Sequence, residues 1–193
     1  MFSYYIIYKP YQVLCQFSAS PGKRTLKDIV TVENDVYPVG RLDYDSEGLL
    51  LLTNDTSMNK LLLSPVKPHT RTYYVQVEGI PTPADFDQWK KGIDISIDGK
   101  IHHTKRANAW PLLSEPLLPE RHPPIRFRQS IPVSWMALEL TEGKNRQVRR
   151  MTAALGYPTL RLVRYAIGQL NISGWQPGEC RKCGRADLIR YLA

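Results

Sequence analysis

Hydrophobic and polar positions alternate over short stretches through much of this chain, the period of half-buried β-strands. The pattern is sharpest from Arg71 to Gly79, where Tyr73, Val75 and Val77 share one face and Thr72, Tyr74, Gln76 and Glu78 the other. Ser134 to Leu140 alternates likewise. Tyr4 to Tyr8 and Gln12 to Phe17, rich in β-branched and aromatic residues and parted by Lys9-Pro10, predict two short strands. Ile93 to Ile97 and Lys100 to Thr104 flank Asp98-Gly99, which predicts a tight hairpin. Further strands are expected around Thr159 to Arg164 and Ile167 to Ile172. Helical signals are fewer. Thr25 can cap a short helix from Leu26 to Val30, Asn54-Asp55-Thr56 opens one through Leu63 that stops before Pro65, and Pro81-Thr82-Pro83 opens one through Trp89. Leu188 to Leu192 predicts a short terminal helix. Asn145 to Leu155, capped by Asn145, gathers Val148, Met151, Thr152 and Leu155 on one stripe and Arg146, Arg149, Arg150 and Ala153 on the other. Short strands and few helices, without βαβ alternation, predict an α+β fold on one large, mixed, mainly antiparallel sheet flanked by helices and loops. At 193 residues, a single domain over 1–193 is expected.

Two stretches depart from core patterning. Residues 40–48 read Gly-Arg-Leu-Asp-Tyr-Asp-Ser-Glu-Gly, between the short stretch Tyr37-Pro38-Val39 and the apolar run Leu49 to Leu52. Three acids and an arginine set against core are costly unless paired; the plain alternative is a solvated loop. Residues 111 to 132 hold six prolines with Arg121-His122, Arg126 and Arg128, either an inert surface loop or a basic finger for phosphates.

Charge narrows the partner. Lys and Arg number 26 against 18 acids, a formal net charge of +8 that favours a polyanion. RNA, DNA and anionic lipid stay open on charge alone. The apolar stretches are far too short to span a bilayer, and the N-terminus lacks the basic start and cleavage site of a signal peptide, so a cytoplasmic protein is expected. Cys180 and Cys183 form one C-x2-C without a nearby second ligand pair, and His69, His102, His103 and His122 are scattered; reduced structural thiols are expected rather than a metal site.

Gly40-Arg41-Leu42-Asp43 with Gly48 and the leucine run, Arg71-Thr72-Tyr73-Tyr74-Val75, and Glu142-Gly143-Lys144-Asn145-Arg146-Gln147-Val148-Arg149-Arg150-Met151 together resemble the three motifs of pseudouridine synthases of the RsuA type, in order and at family spacing. Lys9-Pro10 is similar to the family's opening, and the likeness runs from about residue 4 to 170. It implies Asp43 as the catalytic carboxylate, Tyr73 as the active-site tyrosine and Arg149 as the partner of Asp43. It also implies Arg41 as the group inserted where the target base had been. Lys144, Arg146 and Arg150 of the third motif are the expected RNA contacts. Arg71 stands where the family usually has Lys, and Asp45 and Glu47 carry no family role. Many relatives begin with a small S4-type RNA-binding domain. This chain starts almost at the Lys-Pro strand, so none is expected, and recognition falls to the catalytic domain.

The implied reaction breaks the bond from ribose C1′ to uracil N1, rotates the ring and rejoins it through C5, which needs no cofactor or metal. An ionised Asp43 would attack C1′ or C6, Arg149 would favour its charged form, and Tyr73 would stack on uracil and could accept the C5 proton. The base must leave its helix first, at a cost of a few kcal/mol. The expected substrate is ribosomal RNA, from the large subunit, and the expected enzyme a monomer. One rival is a non-catalytic ribosomal-RNA-binding or ribosome-assembly protein, which gives no reason for Asp43 beside basic groups. Another is a glycosidase with two carboxylates from Asp43, Asp45 and Glu47. For Arg41 the alternative is an ion pair with Asp45 or Glu47.

Overall fold

The structure, a computed structural model, describes residues 1–64, 69–125 and 130–192. Its strands are β1 (Tyr4–Lys9), β2 (Val13–Leu14), β3 (Arg24–Thr25), β4 (Tyr37–Val39), β5 (Glu47–Thr53), β6 (Arg71–Glu78), β7 (Asp94–Ile97), β8 (Lys100–His103), β9 (Asn108–Pro111), β10 (Val133–Leu140), β11 (Thr159–Ile167), β12 (Leu170–Asn171) and β13 (Cys180–Lys182). The helices are α1 (Thr56–Leu63), α2 (Pro83–Lys91), α3 (Gln147–Ala154) and α4 (Arg185–Leu192). Nine strands form one sheet in the order β13-β1-β5-β11-β6-β10-β9, with β4 added to β5 and β12 to β11. Among the described residues, only β5 and β11 run parallel within it; every other pair is antiparallel. The α+β fold on a mixed, mainly antiparallel sheet is as expected.

The leucine run is uninterrupted because both of its faces are covered. Leu49 and Leu51 enter a core shared with Tyr4, Met58, Val163 and Leu188, whereas Leu50 and Leu52 enter another with Ile7, Val13 and Leu26. On the far half of the sheet, Tyr73, Val75 and Val77 of β6 pack with Met136 and Leu138 of β10 beneath α2 and α3. Trp89 of α2 donates through its indole nitrogen to the Met151 carbonyl of α3 at 2.9 Å, tying the two helices together.

The halves meet where β5 begins. Val163 pairs with Glu47 and Arg164 with Gly48. Gly48 has φ +111°, and a Cβ there would stand 2.3 Å from the Arg164 carbonyl oxygen and 2.7 Å from its nitrogen. Only glycine lets these backbones approach so closely. Side chains pin the same crossing. Arg161 grips the Glu47 carboxylate with two hydrogen bonds of 2.9 Å, and Arg164 Nε donates to the Leu49 carbonyl at 2.7 Å.

Several elements differ from expectation. Gln12 to Phe17 narrows to two residues, since Gln12 takes φ 55° and breaks the extended run. The two strands expected near residues 159–172 are one long β11 with a short β12 folded back. Strands β9 and β13 had no clear sequence signal: both are edge strands, one ending in Pro111 and the other carrying Arg181 and Lys182. Helix α3 begins at Gln147, not after an Asn145 cap, because Arg146 adopts a left-handed conformation at φ 51°. The proline-rich stretch has no regular structure between β9 and Ile125. Its Arg126 and Arg128 lie outside the described residues.

Gly48→Ala is expected to cost more than about 3 kcal/mol, because both the positive φ and the Arg164 backbone oppose a methyl group. Gly22→Ala, at φ +70° but with nothing within 4 Å, should cost about 1–2 kcal/mol. Urea denaturation of both variants checks the contrast.

Candidate active site

Between β4 and β5 the chain makes a turn held at both ends. At its start the buried Leu42 donates its N–H to Cys15 Sγ at 3.2 Å. At its end Ser46 and Glu47 are buried, and Arg161 holds the Glu47 carboxylate. The Ser46 N–H closes the turn on the Asp43 carbonyl at 3.1 Å. What the turn presents outward is two carboxylates: the Asp43 and Asp45 side chains keep 34% and 29% exposure.

Facing them is the start of α3. Gln147 builds that start: its side chain accepts from the Lys144 N–H at 2.9 Å and donates to Glu142 at 2.7 Å. The closed loop leaves Arg146 in its left-handed conformation, with its guanidinium over the turn. Arg146 donates to both Asp45 oxygens, at 2.8 and 2.7 Å, while its Nη1 lies 4.0 Å from Asp43 Oδ2. Arg149, largely buried, places Nε 3.3 Å from Asp45 Oδ2 and donates to the Asp45 carbonyl at 2.5 Å. Its ion pair is thus with Asp45, not with Asp43 as expected from the sequence. The grip on the Asp45 carbonyl explains this, since it sets that residue's carboxylate against both arginines. Partial burial pushes the Asp45 carboxyl up, but the Arg146 hydrogen bonds and the two arginine charges outweigh it and hold it below the usual carboxylate range.

Tyr73 lies on β6 opposite Arg164, nearly buried, in the same core as Leu42 and Val148. Its hydroxyl makes no hydrogen bond among the described residues. Arg71 donates to the Leu62 carbonyl at 3.1 Å. Arg41 is exposed and has no hydrogen bond or ion pair among the described residues. The carboxylates that could have claimed it, Asp45 and Glu47, are held by other arginines. Lys144 is exposed beside Arg146. Arg150 is turned away: it donates to the Ser96 carbonyl of β7 and, at 3.0 Å, to the Asn145 carbonyl, so it braces α3 rather than facing the turn. Arg121 stacks on the Tyr11 ring at 4.2 Å, at the rim of a cavity of about 430 Å³ that reaches Glu47. The glycosidase alternative fails on this geometry, because Glu47 is buried in an ion pair and Asp45 is clasped by two arginines.

Sequence reasoning missed the groups beneath the turn. Lys9 is fully buried, donating to the Val13 and Pro10 carbonyls at 2.8 and 2.9 Å. Burial pulls its ammonium down to about 8, opposed by Cys15, Glu47, Asp45 and Asp43. The Lys9-Pro10 break between strands marked its position. Glu47 and Arg161 lie 114 residues apart, and no local pattern links them.

The family model described as RNA pseudouridylate synthase matches residues 3–154. The chain is 46% identical over 177 residues to ribosomal large subunit pseudouridine synthase E of Vibrio vulnificus, covering 92% of this chain and 73% of that one. It is 46% identical over 178 residues to the protein of the same name from Xanthomonas campestris, covering 91% and 92%. Ribosomal large subunit pseudouridine synthase B of Bacillus subtilis is 32% identical over 191 residues, covering 98% and 71%. A crystal structure of a pseudouridylate synthase shares the fold, with a TM-score of 0.80 at 24% identity, covering 99% of this chain and 74% of that one.

The buried Lys9 predicts a pH effect of definite sign. Its folded value lies below the ordinary lysine value, so between about 8 and 10.5 the unfolded chain binds more protons. Stability from this group therefore rises with pH through that window, with a slope approaching about 1.4 kcal/mol per pH unit. Urea unfolding from pH 8 to 9.5 should show the rise in the wild type relative to Lys9→Met, which lacks the group.

Proposed function

The chain belongs to the RNA pseudouridylate synthase family, and from that membership we propose that it isomerises a specific uridine of large-subunit ribosomal RNA, with Asp43 as the nucleophile. The relatives named ribosomal large subunit pseudouridine synthase support the substrate. One observation carries the assignment of Asp43: on an anchored turn with two outward carboxylates, it is the one that no arginine grips, yet Arg146 stands 4.0 Å away. A non-catalytic RNA-binding protein offers no account of that carboxylate, which would weaken RNA binding.

In the proposed reaction the carboxylate attacks the nucleotide at C1′ or C6, and the C1′–N1 bond breaks. The uracil turns, C1′ bonds to C5, the bond to the Asp43 carboxylate breaks to free it, and the C5 proton departs while N1 takes up a proton. Atoms otherwise stay in place, so the step is an isomerisation without redox change. Tyr73, nearly buried beside the turn with its hydroxyl free of partners among the described residues, suits a ring that stacks on the uracil and accepts the C5 proton. Arg149, engaged with Asp45, supports the turn from beneath.

Arg41, exposed two residues before Asp43, suits insertion into the gap left by the flipped base, where a planar guanidinium can stack and hydrogen-bond. Lys144 and Arg146 are the phosphate contacts nearest the turn; Arg150 adds charge behind them. Both sheet edges are short, guarded by Arg181 and Lys182 on one side and Pro111 on the other, which supports a monomer. Among the described residues no helix is long and apolar enough to cross a membrane. A ribosomal RNA substrate favours the cytoplasm.

Asp43→Asn is expected to abolish release of tritium from 5-tritiated uridine in ribosomal RNA while leaving the thermal midpoint and RNA affinity nearly unchanged; release near the wild-type rate would overturn the assignment. Arg41→Ala should slow modification of a uridine in a hairpin far more than of the same site in a single strand, where little stacking must be replaced. Single-turnover rates on both RNAs test this, and equal losses would exclude insertion.

A further inference from the structure

Family likeness supplies no role for Asp45, yet its carboxylate makes the densest contacts of the turn: two hydrogen bonds from Arg146 and an ion pair with Arg149. An arginine fork prefers to grip one carboxylate with two parallel hydrogen bonds. Two carboxylates, two residues apart on one turn, compete for the Arg146 fork. Whichever wins has its lone pairs covered by N–H groups and becomes a poorer nucleophile. The other keeps the field of the cation without the covering bonds.

We propose that Asp45 is a positioning residue for the isomerisation, the acceptor that occupies Arg146 and Arg149 so that Asp43 stays docked beside α3 with its oxygens uncovered. This rests on the reading of Asp43 as the nucleophile. The balance of charge supports it. Asp43 and Asp45 face Arg146, just before α3, and Arg149 within it; the buried Lys9 of β1 lies within electrostatic range of both acids, and Tyr11 within range of Arg149. Glu47 and Arg161 neutralise one another. Lys23 is drawn over the Tyr44 ring at 5.2 Å and has no ion pair with either acid. Without Asp45, then, the two guanidinium groups have Asp43 as the acid left to them on the turn.

The test is the pH dependence of kcat on ribosomal RNA for the full chain carrying Asp45→Asn, Asp45→Glu or Arg146→Gln, with RNA affinity and thermal midpoint measured alongside. Asp45→Asn should lower kcat about ten- to a hundredfold, the usual loss for a misplaced reacting group, with RNA Kd changed less than about threefold. Its acid limb should move to lower pH, because a carboxylate facing two cations alone keeps its charge longer. Arg146→Gln, which removes a cation, should move the limb to higher pH, and Asp45→Glu should recover part of the rate. Opposite shifts support the clamp, and a variant with an unchanged midpoint shows that folding is not the cause. A lower rate with the limb in place would mean a merely structural contact and overturn the proposal, as would an unchanged rate. If Asp45→Asn were dead while Asp43→Asn stayed active, the nucleophile itself would be Asp45, and the underlying reading would fail instead. If Asp43→Asn alone were dead, that reading would survive whatever Asp45 did.

Discussion

The contact between the Gly48 and Arg164 backbones is the constraint on which the rest depends. Among the described residues it is the one parallel join in an otherwise antiparallel sheet, and it spans only Glu47 and Gly48 against Val163 and Arg164. Two backbone pairs are a slender joint, and Val163 and Ile167 of β11 reinforce it by packing in the same core as Leu49 and Leu51. Glu47 with Arg161, and Arg164 with the Leu49 carbonyl, therefore matter beyond their number. A buried ion pair contributes little net stability compared with well-packed apolar groups, but breaking it strands a charge, about 3–5 kcal/mol. The pair is best understood as fixing the register of the join. One residue of slip would turn the leucines of β5 to the wrong cores.

Because the turn that carries Asp43 ends at this join, its position follows from the core rather than from its own contacts. From the other half of the molecule, the same join brings β11, and with it α3, beside the turn. Arg161 also donates to the Pro119 carbonyl at 2.8 Å, so the proline-rich segment is tied to the same point. Three distant parts of the chain thus converge on the residue that starts β5.

Much of this was readable from the residues, for reasons that can be named. The apolar run Leu49 to Leu52 stood out as core, Asp98-Gly99 as a tight turn, and Pro81-Thr82-Pro83 as the opening of a helix, since each signal is local and physical. The Asp43 turn was recognisable from its charges and from its resemblance to a family motif. Pairing was not. Glu47 finds Arg161, and Asp45 finds Arg146 and Arg149, across about a hundred residues, and nothing in a local pattern distinguishes Asp45 from Asp43. The start of α3 was misread because side chains of Glu142 and Gln147, not the usual cap, set the conformation of Arg146. Edge strands β9 and β13 escaped because charge, proline and brevity, which protect an edge, also erase the strand signal.

The closing strand β13 lies against β1, pairing Ile7 with Cys180 and Tyr5 with Lys182. Strand β1 must therefore wait for Cys180 to Lys182 before both its edges are satisfied. The join of β5 to β11 waits for residue 164. Such long-range pairing folds slowly, since loop closure precedes any reward. A growing chain would carry the Asp43 turn without the arginines that hold it until Arg146 and Arg149 are made. Competence for the reaction then arrives only when the second half of the sheet docks.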